Sequence, residues 1–199
     1  SARGKQFCAG GDIQEFVANR ERLDALAADI LDVAHPTLHQ LSKLPVPVIS
    51  ALQGPVGGAG IAVALCADLV LASSQVFMRG GYTAIGLSPD LGASYFLARR
   101  SSPARAKYVL MTNHKISAEQ CLAWGLVDEL HAPDALMPAA MALAEKLAAG
   151  ASGALGGVKR LCDAVPENDL RSHLDAERSA LLRCAASADG REGVTAFVE

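Results

Sequence analysis

Between Arg22 and Leu44, apolar residues recur three and four positions apart (Leu23, Leu26, Ala27, Ile30, Leu31, Ala34, Leu38 and Leu41). That spacing predicts an amphipathic helix, with Pro36 as a kink or break. After Pro45 and Pro47, the run Val48-Ile49-Ser50-Ala51-Leu52 predicts a short buried strand. Ile61–Ala67 then predicts a short buried helix, and Leu69–Ala72 a second buried strand. Upstream, residues 5–9 form an apolar run read as the end of a strand. Asp12 caps the helix that starts Ile13-Gln14-Glu15-Phe16. Residues 74–98, with Gly80, Gly81, Gly86, Pro89 and Gly92, read as loop. Helical patterns then cover 103–112, 117–124, 134–149, 152–164 and 169–187, and Ser117 with Gln120 forms a capping box. Strand, turn, helix and strand in succession predict an α/β core over residues 1–130, with a helical region over 131–199.

Two glycine-rich turns interrupt this pattern: Phe7-Cys8-Ala9-Gly10-Gly11-Asp12 and Gly54-Pro55-Val56-Gly57-Gly58-Ala59-Gly60. Each leaves a strand and enters a helix, so each can aim backbone N–H groups at one point. Two such donors on a carbonyl oxygen stabilise an enolate or tetrahedral intermediate. The helix starting near Gly58 adds its positive N-terminal end. A phosphate-binding loop needs Gly-Lys-Ser/Thr, but Ile61 follows Gly60; a dinucleotide fingerprint needs a further glycine where Val63 stands. A purely structural pair of turns is the remaining alternative.

The composition, 51% hydrophobic and 5% aromatic, supplies a buried core and argues against disorder. A net charge of -3 gives no general attraction to nucleic acid. Arg99-Arg100 and Lys159-Arg160 read as solvated surface. The five cysteines lack Cys-x-x-Cys spacing and read as small core residues in a reducing compartment, with a cytoplasmic location expected. Cys8 has no local His and reads as a buried thiol rather than a nucleophile. None of the five His has metal-ligand spacing, so no metal is expected. No apolar run reaches membrane-spanning length and no signal peptide is visible, though the chain starts at Ser1 without an initiator Met.

Taken together, Phe7-Cys-Ala-Gly-Gly-Asp-Ile13, Pro47-Val-Ile-Ser-Ala running into Gly54–Gly60, Cys66-Ala-Asp68, Ile85-Gly-Leu-Ser-Pro-Asp-Leu-Gly92 and Ser117–Val127 resemble the crotonase superfamily of enoyl-CoA hydratases and isomerases. The match runs in register over essentially the whole chain. Members usually carry a longer N-terminal segment and a short C-terminal tail, so the chain looks trimmed at both ends. The resemblance implies a crotonase-like spiral of ββα units, a C-terminal helical oligomerisation region, and a homotrimer or dimer of trimers. It implies an acyl-CoA substrate, with no cofactor besides the CoA thioester itself. Gly11 and Ala59 would be the oxyanion donors, Ala59 standing where glycine is more usual. Phe7, Ala9, Asp12, Ile13 and Gly58 would line the ligand's path, with Asp12 chiefly a helix cap.

The resemblance also bears on the chemistry. The family's hydratases use two glutamates, and here Ala62 and Tyr82 occupy those positions. Two-glutamate hydration is therefore not expected. Asp90, after Pro89, remains as the acid. It resembles the acid of phenylacetate-pathway-type isomerases and one acid of the dienoyl-CoA isomerases. A single carboxylate suffices for isomerisation, removing a proton from carbon 2 of a 3-enoyl thioester and returning it at carbon 4. Leu87, Leu91 and Phe96 are expected to keep the site dry. Asp90 as a mere turn residue is the alternative, and Tyr82 reads either as an orienting hydroxyl or as a wall of the acyl pocket. Slow hydration, thioester hydrolysis and a non-catalytic acyl-CoA-binding homologue remain open.

Overall fold

The structure is a computed structural model that describes residues 1–198. Its elements are α1 (Ile13–Ala18), α2 (Leu23–Ser42), β1 (Ile49–Leu52), β2 (Val56–Gly57), α3 (Gly60–Leu65), β3 (Leu69–Ser73), β4 (Phe77–Arg79), α4 (Ala93–Arg100), α5 (Pro103–Thr112), β5 (Ile116–Ser117), α6 (Ala118–Ala123), β6 (Glu129–His131), α7 (Leu136–Ala148), α8 (Ser152–Ala164), α9 (Leu170–Ala185) and α10 (Ala188–Ala196). The fold is α/β.

The chain divides into two compact units. One comprises Ser1–Lys43 with Val48–Ala140, the other Leu44–Pro47 with the residues from Met141 onward. The first holds two three-stranded sheets, ordered β1-β3-β6 and β2-β4-β5. The first sheet is wholly parallel, with Ile49 opposite Leu69 and Leu71 opposite Glu129. In the second, β2 is parallel and β5 antiparallel to β4.

The route between the sheets positions the second glycine turn. β1 ends at fully buried Leu52, and Val56–Gly57 then joins the other sheet. The chain turns into α3 and returns to the first sheet at Leu69. Helix α3, Gly-Ile-Ala-Val-Ala-Leu, is apolar all round and almost entirely buried, as a helix inside a core must be. Leu52, Ile61, Leu65, Val70, Leu71, Met78, Leu97, Ile116 and Leu126 are the large side chains at its centre. Fully burying each contributes about 1.5–3 kcal/mol.

Several expectations change here. Residues 5–9 form no strand; Cys8 makes one isolated bridge to Val56, because the partner run is itself only two residues long. Pro36 does not break α2. It lies on the exposed face, where water can hydrate the carbonyl it leaves unpaired, and the Thr37 hydroxyl donates to Val33 O at 2.8 Å. The 74–98 stretch contains β4, a 3-10 turn over Tyr82–Ile85 and the start of α4. Cys66 and Cys121 are core residues, whereas Cys8 and Cys184 are half-buried and Cys162 is exposed.

Two of the basic side chains are not solvated surface. Arg100 donates to Ala67 O at 3.1 Å and Asp68 O at 2.9 Å, and pairs with Asp128 at 3.4 Å. It ties α4 to the start of β3, since those carbonyls immediately precede the strand. In the second unit, Lys159 is buried on α8 and donates to Val46 O at 3.4 Å. There α8 packs on α9, and Asp169 caps α9 by accepting from Ser172 N at 2.8 Å.

Candidate functional site

The two glycine turns lie against one another. Phe7 N donates to Pro55 O at 3.0 Å, and Gly57 N to Cys8 O at 2.8 Å, so the segments run side by side in parallel. Their backbones approach too closely for side chains. A Cβ on Gly10 would lie 3.1 Å from Gly57 O and 3.2 Å from Ala59 N. One on Gly60 would meet Cys8 O at 2.7 Å and Cys8 Sγ at 3.0 Å. Small residues in both turns are thus what permits the juxtaposition. Among the described residues, no internal acceptor takes a backbone hydrogen bond from Gly11 N or Ala59 N. Gly11 is exposed, and Ala59, at the N-cap of α3, is half-buried. Helix α3 has only six residues, so its dipole contributes little at Ala59.

A third segment reaches the same place. Gly58 N donates to Arg79 O at 3.1 Å, which fixes the second turn to the end of β4. Beyond β4, Gly80 and Gly81 lead into Tyr82, which is buried. The Tyr82 hydroxyl donates to Asp90 Oδ1 at 2.7 Å. Burial above all, then the Asp90 hydrogen bond and charge, push this hydroxyl far above its ordinary range, and the Cys8 thiol adds to the effect. Tyr82 therefore keeps its proton and is a donor to Asp90.

Asp90 is half-buried and sits before two successive left-handed residues, Leu91 (φ 49°) and Gly92 (φ 87°). For leucine this conformation costs about 1 kcal/mol. It sends the chain sharply into α4, whose Ala93 N donates back to Asp90 O at 2.9 Å. Strained non-glycine residues of this kind concentrate at functional positions. Leu91 and Phe96 pack partly buried against the core, and Leu87 is half-buried. A cavity of about 320 Å³ adjoins the segment, lined by Thr83, Pro89, Ser94, Ala98, Leu110 and Met111 among others.

The remaining expected site residues fall as follows. Phe7 is half-buried against the core and Ala9 is exposed, its carbonyl 3.0 Å from where a Gly57 Cβ would stand. Asp12 caps α1, accepting from Gln14 N at 2.8 Å and Glu15 N at 3.3 Å. Ile13 is about half exposed, and Gly58 (φ 50°) makes the turn into α3. Ala62 is fully buried and apolar. The sequence reading missed the Tyr82–Asp90 pair, whose only local signal is the left-handed Gly81 and Gly86 flanking the 3-10 turn.

The family model described as enoyl-CoA hydratase/isomerase matches residues 1–199. The chain is 34% identical over 196 residues to the 1,2-epoxyphenylacetyl-CoA isomerase of Escherichia coli, covering 98% of this chain and 75% of that protein. Identity and coverage are the same for a probable enoyl-CoA hydratase of Rhodobacter capsulatus. Its fold superimposes on the crystal structure of an enoyl-CoA hydratase from a Polaromonas species with a TM-score of 0.93, at 35% identity, covering 98% of this chain and 76% of that one. On sequence and fold alike, this chain belongs to the enoyl-CoA hydratase/isomerase family of the crotonase superfamily.

Proposed function

We propose that this protein is an enoyl-CoA isomerase that moves a double bond through an enolate, with Asp90 as the single proton shuttle. The observation that carries this reading is the Asp90 carboxylate, held by Tyr82 just beyond Arg79, whose carbonyl accepts from Gly58 N in the second of the two apposed glycine turns. Gly11 N and Ala59 N hold the thioester oxygen. Each such donor is worth about 3 kcal/mol in the transition state, or a hundredfold to a thousandfold in rate. Asp90 takes the proton from carbon 2 of a 3-enoyl thioester, the amides hold the dienolate, and the proton returns at carbon 4. Buried Ala62 and proton-bound Tyr82 offer no second carboxylate to activate water, which supports isomerisation over hydration.

On this reading the CoA thioester is the substrate and no further cofactor enters. Phe7, Ala9, Ile13 and Gly58 line its path, and the cavity adjoining Pro89 supports an apolar acyl group. The C-terminal helices supply subunit contacts of a homotrimer or dimer of trimers; exposed Leu170, Leu174, Leu181 and Phe197 support this. Among the described residues no helix is long and apolar enough to cross a membrane, and we place the protein in the cytoplasm.

The test pairs Asp90→Asn with a panel of CoA esters. The variant loses turnover of a 3-enoyl-CoA and keeps CoA-ester affinity; unchanged turnover rejects the assignment. Mass analysis after incubation with a 2-enoyl-CoA separates hydration, which adds the mass of water, from isomerisation. Binding without turnover of any ester marks a non-catalytic homologue.

A further inference from the structure

The hydrogen bond between Tyr82 and Asp90 divides the labour of the carboxylate. We infer that Tyr82 is the positioning residue of the proton shuttle: it occupies Asp90 Oδ1 throughout turnover and leaves Oδ2 as the oxygen that carries the proton. This deepens the isomerase reading and rests on it.

Three observations carry the inference. The 2.7 Å separation is that of a strong O–H···O⁻ bond. Tyr82 is anchored independently of Asp90: its ring is buried, and the neighbouring Thr83 hydroxyl donates to Leu110 O at 3.1 Å. Asp90, by contrast, lies in a turn built on left-handed Leu91 and Gly92, so its side chain gains most from an external tether. Asp90 O accepts from Ala93 N, which fixes the backbone of the turn while leaving the carboxylate free to rotate. The tyrosine hydroxyl removes that freedom.

A carboxylate that must deliver the same proton to carbon 4 that it removed from carbon 2 benefits from such a constraint. The proton balance is simple. The C2–H bond breaks, its electrons enter the dienolate and its proton goes to Oδ2. The O–H bond at Oδ2 then breaks as a C4–H bond forms. The Tyr82 proton never leaves Tyr82, and nothing is oxidised or reduced.

The groups acting on the Tyr82 hydroxyl are Asp90 and the Cys8 thiol. Removing the hydroxyl takes away the hydrogen bond that holds Asp90 Oδ1.

The experiment uses the full chain with Tyr82→Phe, turning over a 3-enoyl-CoA. Expected are a 10- to 100-fold fall in kcat with KM within twofold of wild type. In D2O, the fraction of product keeping the substrate's own proton at carbon 4 falls. Fluorinated tyrosine at position 82, nearly the same in shape and still a donor, keeps the wild-type fraction; this arm keeps the test sound if the phenylalanine variant folds poorly. Wild-type kcat with an unchanged retained fraction in the phenylalanine variant, or a lost fraction in the fluorinated one, overturns the inference. So does a loss confined to affinity for a non-reactive CoA thioether, which would make Tyr82 a wall of the pocket. Asp90→Asn keeps the two failures apart: if that variant is inactive while Tyr82→Phe behaves as wild type, only this inference fails. If Asp90→Asn is active, the isomerase reading itself fails.

Discussion

Replacing Gly60 by alanine tests whether the close approach of the two glycine turns is needed for catalysis. The new Cβ would stand 2.7 Å from Cys8 O and 2.8 Å from Cys8 Cβ, where ordinary contact begins near 3.4 Å. One backbone must therefore yield by about 0.7 Å. Cys8 O cannot move freely because it accepts Gly57 N at 2.8 Å, and α3 cannot because it is almost entirely buried. Overpacking of this kind costs about 1–3 kcal/mol of stability. A displacement approaching 1 Å between catalytic groups costs roughly a hundredfold in rate. We therefore expect kcat/KM for a 3-enoyl-CoA to fall about a hundredfold, followed by the ultraviolet absorbance of the conjugated thioester at a temperature where the variant is still folded. Gly153→Ala is the control: nothing lies within 4 Å of the added carbon on α8, and stability rises by about 0.5–1 kcal/mol. Full turnover by a folded Gly60→Ala protein would refute the reasoning, since the amides would then tolerate displacement.

Four further outcomes are expected. Ser94→Phe, on the exposed wall of the cavity, raises KM for thioesters with bulky apolar acyl groups and spares short ones, as steady-state kinetics with both will show. Burial, with Glu119 adding to it, pushes the Cys121 thiol up to about 12, so native protein alkylated at mild pH is labelled at exposed Cys162 and not at Cys121. Because the folded chain holds the Cys121 proton more tightly than the unfolded one, its contribution to stability is complete below about pH 8.5 and is lost as pH rises towards 12. Denaturant midpoints across that interval should fall less steeply in Cys121→Ala. Ser117→Ala removes the acceptor for Gln120 N at 3.3 Å and lowers stability by about 1 kcal/mol, read by urea unfolding.

How much of this the sequence disclosed depended on the range of the interactions. The capping box at Ser117, the Asp12 cap and helices α5 to α9 were legible because periodicity and capping act within a few residues. The α/β order was legible from short apolar runs between glycine turns. Helix α4 was hidden: it has eight residues, and the glycines and proline just before it read as loop. Tyr82 and Asp90 were each legible from the family resemblance, yet their pairing was not. It depends on Leu91 adopting a left-handed conformation that no propensity assigns to leucine. Arg100 read as surface because its acceptors, Ala67 O and Asp68 O, lie far away in sequence.

The central claim is that the main-chain amides of residues 11 and 59 grip one thioester oxygen. It is tested most directly by the carbonyl stretch of a carbon-13-labelled acyl-CoA bound to Asp90→Asn, which holds substrate without consuming it. Two converging donors lower that frequency well below its value in water, and in Gly60→Ala the band moves back towards it. A bound thioester absorbing at its free-solution frequency would contradict the account.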